Sequence, residues 1–226
     1  MQSTAEHAEN AEKISANFAR SAVKSCFSPM PPVPPNYHEV LYWRITQQER
    51  RLIVMNLLSI PLALVAGFLL TMFAVWFGGL LRMDRLEVTP GQLAILIVAI
   101  FATLGLHELA HGAAMQLYGA RPQYGFMWQA LAFYATAPGY AFTRNQYLVV
   151  ILAPLAGLSL LAMAGIVVFA GSSLAVLLLI CATVNAAGAS GDAWMTAIVA
   201  RYPPEACVVD ERDGMRVFLP ASGGSD

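Results

Sequence analysis

Two histidines four residues apart, the first followed by a glutamate, interrupt a long apolar run in "LGLHELAHGAAM" (104–115). An ionisable group inside a membrane span is costly, so three together ask for a chemical purpose. On a helix His107 and His111 stand about 40° apart around the axis and about 6 Å apart along it, so both imidazoles reach one ion. Glu108 projects beside them, placed to hold a water molecule rather than the metal. This HExxH spacing points to zinc hydrolysis. Zn2+ polarises water and a peptide carbonyl, while the glutamate takes the water's proton and passes it to the leaving amine. The competing reading, polar residues tucked into a helix–helix contact, leaves several buried groups seeking partners in lipid.

A catalytic zinc needs three protein ligands and one open position. The other histidines, His7 and His38, lie in the polar N-terminal region, so the third ligand is sought among carboxylates. Asp192, in "CATVNAAGASGDAWM" (181–195), is the only Asp or Glu between residues 147 and 200. As a bland alternative it caps a helix after "GASG". Glu205, in "RYPPEAC", is the main rival ligand, but two prolines precede it and take it out of the helix. Asn185 lies two helical turns before Asp192 on the same face. It either contacts the substrate backbone or oxyanion as part of catalysis, or joins helices by hydrogen bonding. Gly188 and Gly191 permit a kink there, tolerated at membrane depth against protein or a wet cavity.

These residues need a scaffold, and composition says which kind. The 226 residues are 58% hydrophobic and 12% charged, with mean hydropathy +0.58. That charge content is about half that of a soluble domain. A net charge of −1 gives no reason to expect nucleic acid. Cys26, Cys181 and Cys207 are scattered, at neither metal nor disulfide spacing. The polar first forty residues contain no cleavable signal, so the first span is expected to direct insertion.

Apolar runs at 52–81, 91–118, 147–171 and 174–200 each exceed the roughly 20 residues that cross a bilayer. The expected fold is an all-α polytopic membrane protein of four transmembrane helices. A short interfacial or membrane-dipping β-like segment, the aromatic and turn-broken 121–144, lies between helices 2 and 3. Residues 1–36 are expected as a flexible tail with a Pro-rich spacer, 37–200 as the four-span metalloprotease domain, and 201–226 as a tail with a hairpin around "ERDG". Arg44, Arg50, Arg51, Arg121, Arg144, Arg201, Arg212 and Arg216 fall on one side of the spans, and only Arg82 and Arg85 on the other. The positive-inside rule then makes both termini cytoplasmic in a multi-pass inner-membrane protein. Spans two and four descend in the same direction, which puts His107, His111 and Asp192 at nearly one depth, close to the cytoplasmic face.

"HELAHGAAMQLYGARP", the broken aromatic segment, a span beginning near "LAP" and a later "N…SGD" resemble the zincin peptidase family of small bacterial membrane proteins. More distantly they are similar to the site-2 protease class of intramembrane metalloproteases. The likeness covers roughly residues 40–220. In that class the second motif reads Asn, Pro, then Leu-Asp-Gly, whereas here Asn185 and Asp192 occur without the proline and with Gly-Asp order. The resemblance implies that 121–144 forms membrane-associated β-structure that receives an unwound substrate. The expected activity is zinc-dependent endopeptidase cleavage of a transmembrane protein substrate within the lipid bilayer, with the oligomeric state left open. The alternatives are a zincin-like scaffold that binds a client without cutting it, and a metal sensor or transporter. Retention of Glu108 favours the enzyme over the scaffold, and a single polar cluster fits a route across the bilayer poorly.

Overall fold

The computed structural model describes residues 33–44, 49–77, 79, 89–128 and 132–221. The N-terminal tail through residue 32 and the arginines at 82 and 85 lie outside the described residues. Three long helices carry the apolar runs: α1 (Glu49–Trp76), α2 (Pro90–Leu117) and α3 (Arg144–Val168). Each is long and apolar enough to cross a membrane. The fourth run is two helices, α4 (Ser173–Gly188) and α5 (Ser190–Val199), bent by 43°. The break falls at Ala189, between Gly188 and Ser190, in the glycine-containing stretch where a kink is cheapest. Counted as one broken span, the pair gives four.

Local chemistry fixes where two of the helices begin. Thr89 caps α2 and Thr143 caps α3, each in a reciprocal capping box with a glutamine three residues on. α4 packs against α1, α2 and α3. Small side chains let these apolar surfaces close, as where Leu70, Ala162 and Ala182 form one buried cluster. Outward, Leu64, Phe68, Phe101 and Leu161 are all more than half exposed, a belt suited to lipid rather than water.

The all-α expectation is corrected by six strands in two antiparallel sheets among the described residues, which make the protein mixed α and β. β2 (Gln123–Met127) and β3 (Ala132–Thr136) form a hairpin immediately after α2. A second sheet of four strands runs in the order β1 (Tyr37–Arg44), β6 (Gly214–Pro220), β5 (Cys207–Glu211), β4 (Ala141–Thr143). The physical reason is that this sheet's neighbours are remote in sequence. β1 pairs with β6 although all five described helices lie between them in sequence, and β4 is only three residues long. Neither carries an amphipathic period long enough to stand out beside a 28-residue apolar helix.

The sheet covers one end of the helices. Trp43, Phe142, Val208, Met215 and Val217 meet Ala114 and Met115 of α2, Tyr147 and Val150 of α3, and Val199 of α5 in one buried core. Gly214 is required at the β1–β6 crossing, where a Cβ would lie 2.0 Å from the Trp43 carbonyl oxygen. Tyr140 donates to the Tyr118 carbonyl and so fastens the chain before β4 to the end of α2.

Candidate metal centre

His107 and His111 lie on the buried face of α2, and the α4–α5 bend brings Asp192 against both. The Asp192 carboxylate places Oδ2 3.0 Å from His107 Nε2 and Oδ1 3.4 Å from His111 Nε2. The two imidazoles stand nearly perpendicular, with ring centroids 5.0 Å apart. One ligand atom from each of the three residues lies within 4.8 Å of the others, and all three residues are buried.

The opposite ring nitrogens reveal how the imidazoles are held. Pro154 lacks an N–H, so the carbonyl of Val150, four residues earlier in α3, has no helical donor. That carbonyl accepts from His111 Nδ1 at 2.9 Å. The carbonyl of Pro154 itself accepts from Asn185 Nδ2 at 3.2 Å. Because a carbonyl only accepts, the Asn185 amide can face it only with its NH2 group. Asn185 Oδ1 therefore faces His107 Nδ1, at 2.9 Å, and this nitrogen must carry the proton. Both Nδ1 atoms donate, so in the neutral rings both Nε2 lone pairs point at Asp192.

Two acceptors 3.0 Å apart repel unless a cation or a proton sits between them. Two donors on one tetrahedral zinc, each about 2.0–2.1 Å from it, would be about 3.3 Å apart; the contacts of 3.0 and 3.4 Å, made by the two different oxygens of Asp192, are of that order. The donor set, two neutral imidazoles and a carboxylate, suits zinc. Each histidine is fixed from its outer side by a carbonyl-type acceptor on a neighbouring helix.

Glu108, one residue from His107, is half-buried and reaches the cleft rather than the three-residue cluster. It stands beside Ala135, within hydrogen-bonding reach of that backbone. The cleft is also lined by His111, Asp192, Trp43, Tyr134 and Asp210, so β1, β3 and the β5–β6 hairpin all border it. The Tyr124 side chain of β2 lies directly over Gly112 of α2, where a Cβ would fall 1.9 Å from its hydroxyl. Glu205 is not part of the cluster; it is exposed, and its carbonyl accepts from the Tyr37 hydroxyl.

Sequence reasoning did not single out Val150, Pro154, Tyr147 or Asp210. A proline within an apolar span was the available signal for the first two, since neighbours must satisfy the carbonyl it frees. Tyr147 donates to Asp210 Oδ1 at 2.8 Å, and both are buried. Burial pushes the Asp210 carboxyl up to about 7, an effect partly offset by the Thr136 and Tyr147 hydroxyls.

Residues 100–207 match the model of a family described as "Putative zincin peptidase". The matched stretch holds the HExxH histidines, Asn185 and Asp192, and its likeness points to a metallopeptidase. No curated protein and no solved structure matches the chain.

Proposed function

We propose that this protein is a zinc-dependent intramembrane endopeptidase whose substrate is a membrane-spanning protein. The observation that carries the reading is the facing of two imidazole lone pairs and one carboxylate at 3.0 and 3.4 Å, each imidazole held in the tautomer a metal needs. His107, His111 and Asp192 would hold the zinc, and Asn185 and the Val150 carbonyl position the imidazoles. When bound, zinc supplies Lewis acidity that polarises a carbonyl and lowers the pKa of water.

The protein's own groups do the rest. Glu108 faces the cleft as the general base and returns the proton to the leaving amine. Phe133, Tyr134 and Ala135 of β3 run along the same cleft, and among the described residues one edge of β3 is unpaired by strand. A substrate segment that unwinds and adds to this edge gains backbone hydrogen bonds in place of those its helix loses. The sheet and the Trp43 side chain close the other wall. An inner-membrane location with both termini cytoplasmic fits the arginine distribution and the outward apolar belt.

Purified full-length protein should contain close to one zinc per chain and cleave single-span proteins in detergent or liposomes. Glu108→Gln should keep the zinc and lose cleavage, because the amide is nearly isosteric but cannot act as a base. Wild-type turnover in that variant would remove this mechanism.

A further inference from the structure

Val208 and Asp210 are two residues apart in β5 and so share one face of the strand, while Cys207 to Asp210 are all buried. Val208 is fully buried in the core there, and Met215, paired with Asp210 across the hairpin, is also fully buried. An apolar residue is the ordinary choice at position 210. The chain instead places a carboxylate, 93% buried, whose Oδ1 accepts from Tyr147 and whose Oδ2 is shut from solvent with no hydrogen-bond partner among the described residues. Leaving a buried carboxylate oxygen unpaired is costly, and departures of this kind gather at functional positions.

The neighbouring acids are already matched. Glu211 receives Arg216 at 2.7 Å, and Asp213 lies 3.6 Å from the Arg44 guanidinium. Arg212 sits exposed at the hairpin turn and is not among the hydrogen-bond partners of Asp210. Asp210 lines the same cleft as Glu108, His111 and Asp192. Its main chain is tied to β3, since its carbonyl accepts from the Thr136 hydroxyl at 3.4 Å. A segment lying along β3 would therefore pass this carboxylate close to the reacting bond.

We propose that Asp210 is a specificity residue that receives a lysine or arginine side chain of the substrate near the scissile bond. This rests on the endopeptidase reading above. A backbone N–H could satisfy the free oxygen but not its charge; an ammonium or guanidinium answers both. Burial, which raises the carboxyl to about 7 without substrate, is the desolvation that a cation drawn from the substrate would offset. A basic side chain also suits a cytoplasmic-side cleft, because transmembrane proteins carry lysine and arginine where a span meets the cytoplasm.

Binding can be read without turnover. Fluorescein-labelled apolar decapeptides, with lysine, glutamine or glutamate moved through the central positions, would be titrated by anisotropy. The binding partner is zinc-loaded full-length Glu108→Gln protein in neutral detergent. At one position lysine should tighten binding about tenfold over glutamine, and glutamate should weaken it. Adding Asp210→Asn should bring the lysine-to-glutamine ratio close to one with zinc content kept. Absence of any lysine preference, absence of binding, or a preference that survives Asp210→Asn overturns the assignment. The preference in the Glu108→Gln protein needs no second substitution, so a poorly folding Asp210 variant does not shield the idea. If the preference is found but protein with Glu108 intact cuts none of these peptides, the cation site stands and the protease reading falls.

Discussion

His111 and Val150 are joined by a hydrogen bond that a proline makes possible. The Val150 carbonyl, 2.9 Å from His111 Nδ1, belongs to a turn of α3 whose usual donor would be the N–H of residue 154. Pro154 has none. A defect in one helix thus becomes the acceptor that sets the tautomer of a histidine on the next. Asn185 reinforces the arrangement by donating to the carbonyl of Pro154 itself while accepting from His107.

Pro154→Ala should therefore separate stability from metal binding. An interior helix proline costs about 3 kcal/mol, so its removal should leave the helix no less stable. The restored N–H competes with His111 for the Val150 carbonyl, and zinc affinity should fall about tenfold or more. Chelator competition, run beside thermal unfolding of the metal-free protein, checks both halves. Undiminished affinity would show that the carbonyl is not what holds His111.

Asn185→Leu is expected to weaken zinc by about 10–100-fold, the usual range for an outer-shell partner. Asn185 is 1% exposed, and both functions of its amide are engaged within the protein, so this loss should come through His107. Saturating zinc should then recover much of the activity. Loss of activity that excess zinc cannot restore would instead indicate direct contact with substrate.

Helical geometry is local, and for that reason the placing of His107 and His111 side by side on one helix face was legible in the sequence alone. Asp192 was reachable by elimination and depth, since the spans contain almost no other carboxylate. The aromatic stretch 121–144 showed its β character through its turn residues. What sequence reading missed is non-local. β1 and β6 meet only because the helices between them return the chain to one end, and "YHEVLYWR" reads as a lead-in to the first span rather than an edge strand. Asp210 escaped notice because an acid in "VVDERDG" looks like part of an exposed turn. Only the sheet register puts it on the inner face.

Gly112→Ala should remove activity with zinc retained. The new methyl would fall 1.9 Å from the Tyr124 hydroxyl, so the Tyr124 side chain must move off α2. The histidines are held from the other side, by α3 and α4, and should keep their metal. Shortening the opposing side chain tests this cause. In the double variant with Tyr124→Ala, cleavage should recover relative to Gly112→Ala alone, giving a favourable coupling in a double-mutant cycle. Strictly additive losses would place the effect elsewhere.

Asp210 should make the substrate-free protein less stable as pH rises. Its folded-state carboxyl is raised to about 7, chiefly by burial, against about 3.9 for an unfolded aspartate. The folded protein therefore binds this proton more tightly than the unfolded chain does. The stabilisation is fully present below the unfolded value and is lost as pH climbs through the folded one, across about pH 4–7. Asp210→Asn cannot ionise and should flatten that part of the curve, with its advantage over wild type growing towards neutral pH. Thermal unfolding of both proteins at fixed zinc and ionic strength measures the difference. Parallel curves from pH 4 to 8 would mean that the buried carboxyl is matched by a charge after all.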